Sequence, residues 1–344
     1  MDFEEFKEYI TGHIAEYLPE EYQGAEILIS TQIKNNDTVL DGLKIMKDTM
    51  PIVPVLYIND AYQEYREGTG IDHVVSALAD SYVKAVSVNR DVSLDLPLEN
   101  IREYEKIKDK IICRLVNRAA NERRLQDKPF TPVEDLAVTY HIQMTKGEDG
   151  IGSVAITKEM MELYGVDLAT LHEQAMTSME KISPTVIRPI GEVLMDLMVP
   201  EFMREHRTNE EEAKRSVETA ISENIPELLC VTNDIGLNGA VCIVFSDVQQ
   251  KLAETIGGDY YVLPSSVHET LVMPKTGRIN CAELQAMIQM INAEAVSEDE
   301  RLSDHIYEYN AEKRILHMAD SVLQKEPLEK TPENMVQKHS AKRH

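Results

Sequence analysis

The chain has 344 residues, enough for two lobes with buried cores. Its 43% hydrophobic and 28% charged residues are those of a folded protein and exclude wholesale disorder. With 60 acidic against 35 basic side chains, the formal net charge of -25 repels phosphate backbones and anionic membranes, which excludes general electrostatic binding to nucleic acid but leaves room for a local basic patch. No apolar run approaches the ~20 residues needed to span a bilayer, and the start, Met1 to Phe6, is acidic where a secretory leader is basic. A cytoplasmic protein without membrane association is expected. Cys113, Cys230, Cys242 and Cys281 form no C-x-x-C pair or metal-type cluster, so they read as buried free thiols.

Phe3, Phe6, Ile10, Ile14 and Tyr17 recur at helical spacing before Pro19 and predict an amphipathic helix. Residues 25–34 alternate apolar and polar, Asn35-Asn36-Asp37 supplies turn chemistry, and Val39 to Met46 returns as a second strand. Pro54 to Ile58 reads as a short strand, and Ile71, Val74, Val75, Leu78 and Tyr82 as the stripe of a helix begun after Gly70. The run Ile111 to Val116 suits an interior strand. Leu136 to Met144 alternates as a half-buried antiparallel strand does, and Gly147 to Gly150 turns it into a partner, Ile151 to Ile156.

From Leu168 to Val199 the pattern is helical and rich in methionine, interrupted by Pro184 and Pro189. Arg204 to Glu223 is a charged, solvated face closed by Pro226. The methionines 176, 179, 195, 198 and 203 read as core filler ahead of a partner surface. Leu229 to Thr232 and Ala240 to Phe245 read as strands joined through residues 234–239. Ser246 with Gln249 has capping-box spacing ahead of the stripe Val248, Leu252, Ile256, and Gly257-Gly258 stops that helix. Asn280 with Glu283 repeats the signature before Leu284, Met287, Ile288 and Ile291. Tyr260 to Leu263, Val267 to Met273, Leu302 to Tyr309 and Arg314 to Met318 are the remaining expected strands. Hairpins outnumber βαβ units, and no repeat recurs at a fixed period.

The fold class expected is therefore α+β: mixed, mainly antiparallel sheets packed with amphipathic helices in two lobes. The expected division is an N-terminal lobe over 1–186, a charged helical connector over 187–225, a C-terminal lobe over 226–323 and a disordered tail over 324–344.

Several segments together, Val231-Thr232-Asn233 with Gly239-Ala240, Tyr261 to Glu269, and Leu302 to Tyr309, resemble an uncharacterised domain-of-unknown-function family of anaerobic gut Firmicutes. Lys34-Asn35-Asn36, Leu40-Asp41-Gly42-Leu43 and Asp135 to Val138 extend the resemblance over most of residues 1–318, and it is weakest from Ile187 to Glu223. Pro264 to Glu269 is also similar to a second uncharacterised family from bacilli. The resemblance implies a bacterial, cytoplasmic protein and brings no activity, ligand or catalytic residue.

The best candidate for chemistry is Pro264-Ser265-Ser266-Val267-His268-Glu269. If the segment is a strand, Glu269 shares an apolar face with Val267, Leu271 and Met273, where a carboxylate must be paired or raised in pKa. Ser266 and His268 then lie on the opposite face, where a serine nucleophile also needs an orienting acid and an oxyanion pocket. Ser266, His268 and Glu269 are thus the candidate catalytic residues of a hydrolase-like site, with Asp304 or His305 as helpers. The competing reading has Ser265 and Ser266 capping a turn and Glu269 paired with a distant Arg or Lys. Neither His172-Glu173 nor His268-Glu269 continues as H-E-x-x-H, and Gly236 to Gly239 and Gly147 to Gly150 lack phosphate-loop patterns, so no metal or other cofactor is expected. The other histidines, 13, 73, 141, 172 and 317, carry no pattern. The function expected is a non-catalytic accessory or regulatory protein that binds a protein or small-molecule partner; the alternative is the hydrolase.

Overall fold

The computed structural model describes residues 1–47, 53–89, 95–147, 150–224, 227–264, 266–276 and 281–319. The expected tail 324–344, Glu148 and Asp149 of an expected turn, Pro226, Ser265 and the Asn280 cap lie outside these residues. The fold is α+β, with three antiparallel sheets.

Asp2 accepts the Glu5 N–H and Glu5 takes the Asp2 N–H in return, a reciprocal cap that starts helix α1 (Phe3–His13). A three-stranded sheet follows, built from β1 (Glu26–Ile33), β2 (Val39–Met46) and β3 (Leu56–Tyr57). At the β1–β2 tip, Asn36 and Asp37 take φ of 58° and 51°, a left-handed conformation that short polar side chains tolerate. Helices α2 (Asn59–Arg66) and α3 (Ile71–Asn89) complete this part. Phe6, Ile10, Leu43, Ile45, Val74, Val75 and Tyr82 form its core.

The central sheet comprises β4 (Ile111–Asn117), β5 (Phe130–Val133), β6 (Leu136–Gly147) and β7 (Gly150–Ala155), with short helices α4 (Tyr104–Ile107) and α5 (Glu122–Leu125) beside it. Helices α6 (Lys158–Tyr164) and α7 (Leu168–Ile182) start on Thr157 and Asp167, whose side chains accept N–H bonds from Met160 and Thr170. The proline-bounded stretch read as an interrupted helix contains a strand, β8 (Thr185–Pro189), at the edge of a six-stranded sheet, where a proline costs no ladder bond. Helices α8 (Ile190–His206) and α9 (Glu210–Asn224) then pack on each other through Val199, Ala213 and Val217.

The six-stranded sheet runs β13 (Ile315–Met318), β12 (Tyr307–Asn310), β10 (Tyr260–Leu263), β11 (Thr270–Pro274), β9 (Leu229–Asn233), β8. Helix α10 (Ser246–Ile256) joins the core on one side, and α11 (Cys281–Ala295) covers Tyr261, Leu263 and Met273 on the other. The largest core cluster draws its residues from Leu96 to Met179 and from Val231 to Tyr309, and residues 186 and 187 both lie in β8.

Two local expectations need correction. Gly239–Val244 is a fully wound 3-10 turn, not a strand, because a short apolar run buried on all sides has no period to distinguish the two. Ser246 is the first residue of α10 and makes no cap bond; Phe245 holds the cap position, and Gln249 sends its amide to the Ile243 carbonyl.

Cys113, Cys230 and Cys242 are buried, and burial pushes the thiols of Cys230 and Cys242 up to about 11. Only thiolates attack readily. A disulfide-exchange reagent at neutral pH is therefore expected to titrate Cys281 alone in the folded chain and all 4 thiols in denaturant. Fast reaction of a second thiol in the folded chain would contradict this burial pattern.

Candidate functional site

The segment Ser266–Glu269 is a turn, and β11 starts only at Thr270. The expected placement of Glu269 on an apolar strand face is thereby overturned. Ser266 Oγ accepts the His268 N–H at 3.0 Å and donates to Glu269 Oε1 at 2.9 Å, which closes the turn. The turn-capping reading of Ser266 is the one observed, and Glu269 is bound to that serine; no salt bridge joins Glu269 to a cation among the described residues.

His268 Nδ1 accepts the Asn238 N–H at 3.1 Å, so Nε2 carries the ring proton and faces Glu300 Oε1 at 3.3 Å. The imidazole is thus committed to residues other than Ser266. Asp304 accepts from Asn292 Nδ2 at 2.9 Å, and the His305 N–H goes to Ser303 Oγ. Of the residues proposed from the sequence, Ser266 and Glu269 meet; Asp304 belongs to a different bonding group. Among the described residues no group of three His, Cys, Asp or Glu could hold a metal ion.

The ring of His268 lines a cavity of about 240 Å³ whose other walls come from residues far away in sequence. One wall is the central sheet. Alternation on β6 places Val138, Tyr140 and Ile142 in the main core, and Ala137, Thr139, His141 and Gln143 on the opposite face. That polar face is buried too, where half-burial was expected. Opposite Thr139 on β4 stands Arg114, between Cys113 and Leu115. Its Nη2 donates to Ser153 Oγ at 2.8 Å, while its Nε is buried with no partner.

A second arginine, Arg124 of α5, enters the same cavity, and its Nη1 lies 3.4 Å from Asn35 Oδ1. Neither arginine pairs with a described carboxylate. Burial, then the charge of Arg124, pulls the Arg114 guanidinium down to about 10, so it remains a cation at neutral pH. His141, 4% exposed, is held well below the usual histidine range by burial and by Arg114, Arg124 and Lys128, and is neutral there. Lys34 at the rim donates to the Tyr57 hydroxyl at 2.7 Å.

The β1–β2 tip closes the cavity. Asn35 Nδ2 donates to the Asp299 carbonyl, and Asn36 Nδ2 to the carbonyls of Glu298 and Arg301, each at 2.7 Å. Asn36 Oδ1 accepts from buried Asn121, and Asp37 accepts the N–H groups of Arg123 and Arg124 at the start of α5. Nearby, Asp135 accepts from Ser303 and Tyr307. Many of the segments that carry the family resemblance therefore meet at one polar seam.

The sequence reading missed Arg114, Arg124, His141 and Glu300. Arg114 left a signal: a cation in the middle of an otherwise apolar strand must find a partner or a polar space. A larger groove of about 600 Å³ lies between α7, β8 and the start of α10. It contains none of the predicted residues, and its histidine, His172, is bonded to the Tyr140 hydroxyl at 2.9 Å.

Residues 3–311 match a family of unknown function, DUF5688, and the chain belongs to that family. Comparison with curated proteins and with solved structures returned no match. Among the described residues no helix is long and apolar enough to cross a membrane.

Proposed function

We propose that this member of the family is a non-catalytic binding protein of the cytoplasm, which takes a small ligand into the cavity between the central sheet, the β1–β2 tip and the His268 turn. One observation carries the reading: the polar face of β6 is buried beside an open cavity whose walls are three distant segments bonded to one another. Burying polar groups costs free energy unless each finds a partner. A seam that served stability alone would be filled with apolar side chains, which pack at no such cost. The hydrogen bonds of Ser266 and His268 support binding over hydrolysis, because the serine proton is given to Glu269 and the ring acceptor nitrogen is occupied.

Native mass spectrometry of the gently purified chain, paired with thermal unfolding against a panel of small metabolites, tests the proposal. One bound compound per chain is expected. At a concentration of ~100 Kd it stabilises the fold by about 2.7 kcal/mol. Val116→Phe, which places a ring in the cavity, is expected to abolish the shift while the far-ultraviolet circular dichroism is retained. A chain of bare mass whose unfolding no compound alters would overturn it, as would ligand turnover that Ser266→Ala removes.

A further inference from the structure

We propose that the ligand of this cavity carries an oxyanion, a carboxylate or phosphate group, gripped by Arg114 and Arg124; the inference rests on the reading of the cavity as a ligand site. Two guanidinium groups line one small cavity that opens to solvent on one side, and neither forms an ion pair with a described carboxylate. Arg114 spends one nitrogen on the Ser153 hydroxyl and keeps Nε buried without a partner. Arg124 makes one long contact with the Asn35 amide oxygen. Two like charges in a space of low dielectric repel each other, and an anion between them reverses the sign of that interaction.

The planar guanidinium fork matches the paired oxygens of a carboxylate or phosphate. His141, neutral beside the two cations, adds a polar group without a competing charge. The carboxylates that approach the arginines have other work: Asp37 accepts two backbone N–H groups of α5, and Glu300 faces His268. Asp299 and Glu300 line the cavity as well, and Asp37 acts on Arg124 through its charge, so these carboxylates are the internal groups that compete with the ligand.

A volume of about 240 Å³ restricts the occupant to a small molecule. A chain of net charge -25 repels polyanions as a whole, so the site selects a compact anion over a nucleic acid.

Isothermal titration of inorganic phosphate and of succinate into the full chain, in low-chloride buffer, tests this. At least one of the two is expected to saturate at one per chain. Its affinity falls by about tenfold or more in Arg124→Met and in Arg114→Met, whereas Arg188→Met, on β8 and paired with Asp196, leaves it unchanged. Arg124 is the less buried of the pair, so its variant keeps the test open if Arg114→Met fails to fold. The proposal is overturned if neither anion saturates by millimolar concentration, or if both arginine variants bind as the parent does. A neutral or cationic compound found bound by mass spectrometry, with affinity indifferent to both arginines, overturns the oxyanion and leaves the ligand-binding reading standing. A cavity that binds nothing at all removes both.

Discussion

Replacing Gly239 with alanine is expected to destabilise the fold by about 3 kcal/mol, a large cost for a single methyl group. A Cβ at this position would collide with the Thr232 hydroxyl and come within 2.6 Å of the Asn233 nitrogen and 2.7 Å of the His268 carbonyl oxygen. Two of these three atoms are backbone and cannot rotate away. Thr232 also donates to the His268 carbonyl at 2.8 Å, so the methyl group would push apart β9 and the turn that carries the His268 ring. Urea unfolding monitored by circular dichroism measures the loss. Hydrogen exchange is expected to show it concentrated in residues 229–244 and 266–270. A midpoint within error of the parent would show that the close approach at Gly239 can relax without cost.

Asp135→Ala has the second large effect. Asp135 accepts from the Tyr307 hydroxyl at 2.6 Å and from Ser303 at 2.8 Å, and both donors belong to buried residues. Burial and the adjacent carboxylate push the Tyr307 phenol far up, so it is a neutral donor at neutral pH. Removing the acceptor takes away the partner of two buried hydroxyl hydrogens, at a combined cost of about 3 kcal/mol. Asp135→Asn keeps one acceptor oxygen and is expected to lose about half as much. In a Tyr307→Phe background Asp135→Ala should cost less than in the parent, because one of the two stranded donors is gone. Strictly additive losses would place the cost elsewhere than in this bond.

Local rules reached far along this chain. The α1 stripe, the β1–β2 hairpin with its Asn-Asn-Asp tip and the buried stripe of α3 all appear where spacing placed them, since each depends on neighbours within a few residues. The C-terminal hairpin of Tyr307–Asn310 with Ile315–Met318 is shorter than expected, because Leu302 to Ile306 lead into the strand without joining it. Gly257, with φ of 85°, ends α10 as read. The rules failed where a distant partner decides: β8 is a strand because β9 lies beside it, and Ala240 to Val244 is a helical turn because Gly239 is pressed between Thr232 and His268.

The candidate site was legible in one part only. His268, a candidate on its residue type, does face the cavity, but from a turn and not from a strand with Glu269 on an apolar face. Arg114 has no place among the expected residues, and His141 is one of the histidines that carry no pattern. A histidine in an alternating strand and an arginine in an apolar one look alike whether they face water, a carboxylate or a cavity.

Composition, charge and periodicity by themselves determined an acidic α+β chain with mainly antiparallel strands, its turn residues, and the doubt over Ser266, whose capping role is a matter of three-residue spacing. Only the tertiary structure decided what His268 touches and where the cations are gathered. The cavity walls come from residues 33–35, 114–141, 238–268 and 299–300. Side chains so far apart in sequence leave no periodic trace of one another, and their charges act together only once the chain has folded.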